Sequence, residues 1–256
     1  MKLKKHLPLI LLGCLLAGCA ATHNRTHTDN SAPATLRLMT YNTHNGIGTD
    51  GRTDYGRIAA LITAVSPQVV ALQELDSATT RSRGAYVLGE LARLTGMNPL
   101  YAPAINYAGG KYGIGILCRE QPLRVRQLPL PGREEERTLL IAEFSGYIFM
   151  ATHLSLTAAD AEQSARLIVQ EAQAARKPVY LGGDLNSIPS SPAMQILKEQ
   201  FALLTDTLWR TCEGSCIDYL CGPRAKYGAM QLSHRAMLPD STASDHCPLY
   251  VEVRRR

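Results

Sequence analysis

The chain has 256 residues, with 27 basic and 22 acidic side chains and a formal net charge of +5. Three positive charges lie in an N-terminal segment (Lys2, Lys4 and Lys5); without them the excess is +2, and without the terminal Arg254, Arg255 and Arg256 the body is near −1. This balance disfavours a protein that grips nucleic acid through a broad basic surface.

The N-terminal segment has the pattern of a lipoprotein signal. Its lysines precede an apolar run, Leu7–Leu16, that is too short for a bilayer-spanning helix, which needs about 20 apolar residues. The run ends in Leu16-Ala17-Gly18-Cys19, which resembles the bacterial lipobox, in which the cysteine receives lipid. We therefore expect an exported bacterial lipoprotein of the cell envelope, anchored to a membrane through lipidated Cys19. The alternative is an ordinary cleaved signal in which Cys19 is incidental.

The domain organisation follows from this signal. Residues 1–19 are predicted to be the signal peptide and lipobox, and the small, polar residues 20–34 a flexible tether. Residues 35–256 then form one domain that is long enough to bury a substantial core.

Short β-rich segments alternate with amphipathic helices in that domain. In chain order, strands are predicted at Leu36–Tyr41, Val69–Leu72, Ile114–Leu117, Leu123–Leu128, Thr138–Phe144, Tyr147–Thr152, Pro178–Leu181, Ile217–Leu220 and Pro248–Val253. Helices are predicted at Tyr55–Val65, Val87–Leu94 and Ala158–Ala175. The four strands between Ile114 and Thr152 have short connections, which favours antiparallel pairing among them. The pattern predicts an α/β protein with two sheets packed face to face and helices outside.

Polar residues interrupt or follow these apolar strands at five places. A buried strand has no packing reason to end in a carboxylate, and strand-end loops are where functional sites usually form. If the five ends meet, they supply the groups for one hard divalent cation and for acid–base chemistry at a phosphate. The ends are Tyr41-Asn42, Gln73-Glu74, Thr152-His153, Asp184-Leu185-Asn186 and Ser244-Asp245-His246.

Each of these residues taken alone also has a purely structural interpretation. Glu74 would be an ordinary solvated acid, Asn42 a turn residue, and His153 a structural histidine. The Asp184–Asn186 segment would be a strand-to-loop turn, and the adjacent acid and histidine near position 245 need not interact. The functional interpretation depends on their joint order along the chain.

That order resembles the endonuclease/exonuclease/phosphatase superfamily of deoxyribonuclease I-like phosphoesterases. The resemblance covers Leu38–Val253, and the Gly-Asp-x-Asn and Ser-Asp-His-x-Pro-Leu motifs are its most specific parts. It implies a four-layer α/β sandwich with two mixed, mostly antiparallel sheets. The matching segments are Met39–Asn42, Val70–Glu74, Tyr112–Leu117, Thr152–Leu154, Gly183–Asn186, Ile217–Leu220 and Ser244–Leu249.

The resemblance also implies roles for individual residues. Glu74 would be the principal ligand of Mg²⁺ (or Mn²⁺), with Asn42 beside it and Asp245 contributing. The catalytic set would be His153, Asp184, Asn186, Asp218, Asp245 and His246. In that set Asp184 and Asn186 would orient or deprotonate the attacking water and hold a phosphate oxygen, the histidines would bind phosphoryl oxygens, and Asp218 would position a histidine.

The implied activity is metal-dependent hydrolysis of a phosphate ester, favouring a phosphodiesterase of the nuclease or phospholipid and sphingomyelin type. The substrate would be a phospholipid head group, a nucleic acid or a small phosphate, and no obligate protein partner is evident. The alternatives are a phosphomonoesterase acting on small phosphates and an inactive surface-binding lipoprotein of the same fold. The chain departs from the family pattern at Cys216, where relatives often have arginine, which leaves the substrate open.

Five cysteines lie in the predicted domain, and export would permit disulfides. We expect Cys212 and Cys216 to pair and to close a short loop. A zinc site formed by Cys212, Cys216 and Cys221 is a weaker hypothesis, because the Cys-x-x-Cys spacing is missing.

Overall fold

The computed structural model describes Met1 and residues 35–224, 230–239 and 242–255. The chain divides into two compact units, Met1–Asn30 and Ser31–Arg256. The predicted signal and tether lie outside the described residues apart from Met1, so their assignment stays a prediction. In the described part, no helix is both long and apolar enough to cross a membrane.

The larger unit contains two six-stranded sheets in its described part. The first has the strand order β11-β12-β1-β2-β4-β3 and the second the order β5-β6-β7-β8-β10-β9. The strands are β1 (Thr35–Asn42), β2 (Val69–Ser77), β3 (Asn98–Tyr107), β4 (Gly110–Cys118), β5 (Arg124–Leu130), β6 (Arg137–Glu143), β7 (Ile148–His153), β8 (Val179–Asp184), β9 (Phe201–Leu203), β10 (Asp218–Pro223), β11 (Met230–Met237) and β12 (Leu249–Arg255). The pairs β1–β2 and β7–β8 are parallel and the other pairs antiparallel.

Helices cover the outer face of each sheet. They are α1 (Tyr55–Val65), α2 (Val87–Thr95), α3 (Ala158–Ala174) and α4 (Pro192–Gln200). Apolar residues of α1 and α2 pack on the first sheet, and those of α3 and α4 pack on the second. A third cluster joins the inner faces of both sheets, including Leu38 and Val251 of one and Phe149 and Leu220 of the other. The predicted four-layer α/β sandwich is therefore confirmed.

Local sequence explains where the helices begin and end. At α1 the Asp54 carboxylate accepts the backbone N–H groups of Gly56 and Arg57, as an N-cap does, and the left-handed Ser66 ends the helix. Gly96 ends α2 in the same left-handed conformation. The three predicted helices are confirmed to within a residue at each end.

The predicted antiparallel series was wrong at its first member. β4 pairs with β2 and β3 in the first sheet, whereas β5, β6 and β7 form consecutive antiparallel neighbours in the second. The link of residues 119–123 is short but crosses between sheets, so its length does not imply a hairpin. The elements β3, α4, β9 and β11 were not predicted.

Candidate active site

Five strands bring the predicted residues to one edge of the sandwich. In the second sheet, Asp184 at the end of β8 is paired in register with His153 on β7 and with Asp218 at the start of β10. In the first sheet, Asn42 at the end of β1 is paired with Gln73 on β2. Because the parallel pairs end at the same edge, the polar strand ends converge.

Glu74 is turned toward this edge by an irregularity in β2. The register with β4 shifts between Leu72 and Leu75, and Glu74 has a φ of 59° in the left-handed region. A bulge of this kind re-aims a side chain that a regular strand would direct elsewhere. The carboxylate accepts hydrogen bonds from Asn42 Nδ2 at 3.0 Å and from Asn45 Nδ2 at 3.4 Å. It remains partly exposed.

Asn42 connects the two sheets through its side chain. Its Nδ2 lies 3.0 Å from Glu74 Oε1, 3.0 Å from Asp184 Oδ2 and 3.4 Å from His246 Nε2. Its Oδ1 accepts the backbone N–H of His44 at 3.1 Å. One amide group therefore links an acid of the first sheet to an acid and an imidazole on the other side of the site.

His246 is held as a cation by its neighbours. Its Nδ1 lies 2.9 Å from Asp218 Oδ2, and both side chains are buried. Burial favours the neutral ring, but hydrogen bonds with Asp218 and Cys212 and the negative charge of Asp184 outweigh it and raise the pKa of His246 to about 12. Burial and Asp184 raise the pKa of Asp218 to about 6, although His246 opposes them. At neutral pH this pair is an imidazolium beside a carboxylate.

The pKa of His153 is shifted in the opposite direction from that of His246. Its Nε2 lies 3.4 Å from Asp184 Oδ2. Burial lowers its pKa below the ordinary value of 6.5, and the attraction of Asp184 only partly compensates. The two histidines that face Asp184 therefore differ in charge: the ring of His153 is neutral and that of His246 is protonated.

Asp184 and Asn186 form a tight turn after β8. Asp184 Oδ1 accepts the backbone N–H of Asn186 at 2.9 Å, and Asn186 has a φ of 45°. The Asn186 side chain donates to the carbonyl of Leu154 at 2.9 Å, which ties this turn to the loop that follows His153. The amide thus fixes the two loops relative to each other.

Asp245 lies at the exposed rim of the site. Its Oδ1 is 3.8 Å from His44 Nδ1 and 3.3 Å from Ser244 Oγ. Ser244 also donates to the carbonyl of Asn42 at 2.8 Å and accepts the N–H of His246 at 3.2 Å. This serine belongs to the predicted motif but was given no role from the sequence, and it attaches that motif to the end of β1.

Two further residues supporting Glu74 were missed. Arg81 donates to Asn45 Oδ1 at 2.7 Å and forms an ion pair with the fully buried Asp76 at 2.9 Å. Its guanidinium group lies over the ring of Tyr107, 4.7 Å from the centroid. Asn45 could have been found from the sequence, because it lies close to the predicted ligand Asn42. The contribution of Arg81 depends on the folded loop.

The partly exposed Glu74 carboxylate is a ligand of the kind that a hard divalent cation takes, while the amides of Asn42 and Asn45 turn N–H groups toward it. Mg²⁺ takes one or two carboxylates and completes its coordination with water and substrate oxygens, and Glu74 is a partly exposed carboxylate with amide neighbours. Asp184, Asp218 and His246 also place ligand atoms within 4.8 Å of one another. That buried group is already joined internally by the ion pair of Asp218 and His246, so it suits charge positioning better.

The predicted disulfide is wrong. Among the described residues, neither Cys212 nor Cys216 is part of a disulfide. Cys216 packs into the apolar cluster between the second sheet and its helices, whereas Cys212 forms a β-bridge with His246. The side chains of Cys212 and Cys216 therefore lie in different environments. Within the described residues, no metal-type cluster unites Cys212, Cys216 and Cys221.

The sandwich and its polar edge define a fold of phosphate-ester hydrolases. The model of the endonuclease/exonuclease/phosphatase family matches residues 39–246, and the chain belongs to that family. Members of this family are hydrolases that act on phosphate esters. A search of curated proteins returned no match.

Solved structures share the fold at low sequence identity. An endonuclease/exonuclease/phosphatase from Beutenbergia cavernae is 23% identical with a TM-score of 0.67, and the match covers 87% of this chain and 72% of that one. TDP2 from D. rerio, complexed with a single-strand DNA product, is 19% identical with a TM-score of 0.66, and the match covers 87% of this chain and 100% of that one. The human Nocturnin catalytic domain with bound sulfate is 16% identical with a TM-score of 0.64, and the match covers 87% of this chain and 95% of that one.

Proposed function

We propose that this protein is a Mg²⁺- or Mn²⁺-dependent phosphodiesterase that uses in-line attack of water at phosphorus. One observation carries the proposal: Asn42 links Glu74, Asp184 and His246 within 3.4 Å, so the groups form one network across two sheets. Hydrolysis at phosphorus needs an aligned water, neutralised equatorial oxygens and a stabilised leaving oxygen. The network contains side chains for each of these needs.

Glu74 is the proposed principal metal ligand, with Asn42 and Asp245 as the other candidate ligands. The bound cation would neutralise charge on the phosphoryl oxygens. Asn45 and Arg81 keep the Glu74 carboxylate in place, because they form a chain of hydrogen bonds that ends at the buried Asp76. This support limits the movement of the carboxylate when substrate binds.

The remaining residues handle water and protons. Asp184 accepts a proton from, or orients, the attacking water, while Asn186 fixes its turn. His246 donates a charged hydrogen bond to a phosphoryl oxygen, since Asp218 holds its ring as a cation. His153 donates from a neutral ring. The protonated His246 is the better donor to the leaving oxygen, because a general acid must carry the proton it delivers.

The substrate class remains a diester of the nucleic-acid or phospholipid type. The similar TDP2 structure was solved with a single-strand DNA product, which supports nucleic acid as one of two substrate classes to be tested. The near-neutral body argues for short or accessible substrates over a long duplex gripped electrostatically. A lipid anchor at Cys19, which we also propose, would keep the domain at a cell-envelope membrane. This favours phospholipid as the second substrate class to be tested.

The test is hydrolysis of bis-p-nitrophenyl phosphate by the soluble domain with Mg²⁺, with and without chelator. We expect chelator, Glu74→Gln and His246→Ala to lower kcat/KM by at least about 100-fold, the range for loss of a group that stabilises transition-state charge. Glu90→Gln is the matched control, because Glu90 pairs with Arg93 on the surface of α2. Equal rates with and without chelator would reject the metal role. Faster turnover of p-nitrophenyl phosphate would indicate a monoesterase.

A further inference from the structure

A half-buried thiol lies directly beside His246. Cys212 and His246 are paired in an isolated antiparallel β-bridge, and the N–H of Cys247 donates to the carbonyl of Thr211 at 2.8 Å. Directly opposed residues of an antiparallel pair place their side chains on the same face. A tight turn closed by Ser215, whose N–H donates to the Cys212 carbonyl at 2.7 Å, holds the cysteine there. The proposed catalysis gives this thiol no contact with substrate, only its hydrogen bond with His246.

Asp245 completes a three-residue group with a different chemistry from that at Glu74. The thiol of Cys212, the carboxylate of Asp245 and a ring nitrogen of His246 lie within 4.8 Å of one another. Their burial is graded, from the exposed Asp245 through the intermediate Cys212 to the buried His246, which gives an ion a path from solvent. Thiolate, imidazole and carboxylate together are ligands of Zn²⁺, whereas Mg²⁺ selects oxygen.

We propose that Cys212, Asp245 and His246 form a Zn²⁺ site that inhibits the enzyme. Three protein ligands and a water would complete four-coordination, and small side-chain rotations would bring the donors to the shorter separations that a tetrahedral ion needs. Binding replaces the thiol proton and the ring proton, which pass to solvent. The same imidazole then no longer donates to phosphate. The inhibitory effect rests on the proposed phosphodiesterase function, but the ion binding does not.

Ion binding is tested first with Co²⁺ as a spectroscopic probe of the soluble domain. We expect a thiolate-to-metal charge-transfer band that Zn²⁺ removes by competition. In Cys212→Ser the band is absent, and calorimetry gives a Zn²⁺ affinity weaker by at least about 100-fold, the upper range for loss of a group that only supports a ligand. Cys247→Ser is the matched control, because Cys247 is also half-buried and adjacent to His246. It retains the band.

Inhibition is tested with bis-p-nitrophenyl phosphate at saturating Mg²⁺. We expect Zn²⁺ to suppress the wild-type protein and Cys247→Ser. Cys212→Ser, whose hydroxyl can replace the hydrogen bond of the thiol with His246, needs about 100-fold more Zn²⁺ for the same fractional inhibition of its own Mg²⁺-supported rate. No charge-transfer band in the wild type, or an equal band in Cys212→Ser, would overturn the site. Equal Zn²⁺ sensitivity of Cys212→Ser and wild type would overturn the inhibitory role. A protein with the band but no hydrolysis would refute the phosphodiesterase and leave the ion site standing.

Discussion

The pairing of His246 with Asp218 makes a quantitative prediction for Asp218→Asn. The amide oxygen can still accept the Nδ1–H at about the present separation of 2.9 Å, so the orientation of the ring is kept while the negative charge is lost. A hydrogen bond between charged groups contributes about 1.5–3 kcal/mol. Converted at 1.36 kcal/mol for each pKa unit, this loss lowers the pKa of His246 by about one to two units.

The sign of the effect follows from which form is active. A raised pKa means that the protonated ring is favoured in the folded protein and is lost as pH rises toward about 12. Asp218→Asn moves that loss into an accessible range. At pH 7 the ring of the variant is still protonated, so we expect a modest fall in kcat/KM, below about tenfold, or 1.4 kcal/mol. Between pH 7 and pH 10.5 the ratio of wild-type to variant rates then rises by a further factor of about 1.3 to 4.

The assay is the pH profile of kcat/KM with bis-p-nitrophenyl phosphate, with Glu90→Gln as a surface control that follows the wild type. Titration of the His246 ring protons by NMR gives a readout that does not depend on turnover. A wild-type-to-variant ratio that stays flat across this range, with an unchanged ring titration, would refute the assignment of a cationic His246 maintained by Asp218.

Three other perturbations have expected outcomes. Arg81→Met removes the donor to Asn45 and leaves the buried Asp76 without its ion pair. We expect Mg²⁺ activation to require about tenfold more metal and the unfolding free energy to fall by about 3–5 kcal/mol. Unchanged metal dependence would contradict the inference that Arg81 keeps Glu74 in place. Burial favours the neutral form of Glu134, but hydrogen bonds from residues 155–157 lower its pKa to about 2. Its stabilising contribution is present above the unfolded value of 4.5 and is lost as pH falls through about 2, so denaturant unfolding should show Glu134→Gln less stable by about 1–2 kcal/mol at pH 7 and the difference shrinking in acid. Cys19→Ser should release the full chain from the membrane fraction and abolish incorporation of labelled palmitate, whereas retained label would contradict lipidation at that cysteine.

The strands that the sequence predicted are those that are buried and apolar on at least one face. β3 was missed because Pro99 and Pro103 interrupt it. Prolines are tolerated there because β3 is an edge strand, with β4 as its one partner among the described strands. β11 is the opposite edge of the same sheet. α4 carried a usable start pattern, since Ser191 caps the helix by accepting the N–H of Met194 and Pro192 follows it. Its short length does not explain why it was missed, because α2 also has nine residues and was predicted.

The convergence at the site was predictable because it depends on strand direction. The parallel pairs β1–β2 and β7–β8 end at the same edges of their sheets, so Asn42, Glu74, His153 and Asp184 had to lie near that edge once the strands were assigned. The supporting residues were not predictable in this way. Arg81 reaches Asn45 from a loop after β2, through contacts that no periodicity encodes.

Residue type alone also leaves the charge of a side chain open, and this decides the chemistry. His153 ends β7 and His246 lies just before β12, yet both face Asp184. Asp218 supplies a second carboxylate to one ring only, and burial without that partner leaves the other ring neutral. The same limit explains the wrong disulfide, because four residues of spacing between Cys212 and Cys216 do not reveal that the turn directs one thiol to His246 and the other into the core. Assigning an acid, a base or a metal ligand here therefore requires the partners of each side chain as well as its place in a motif.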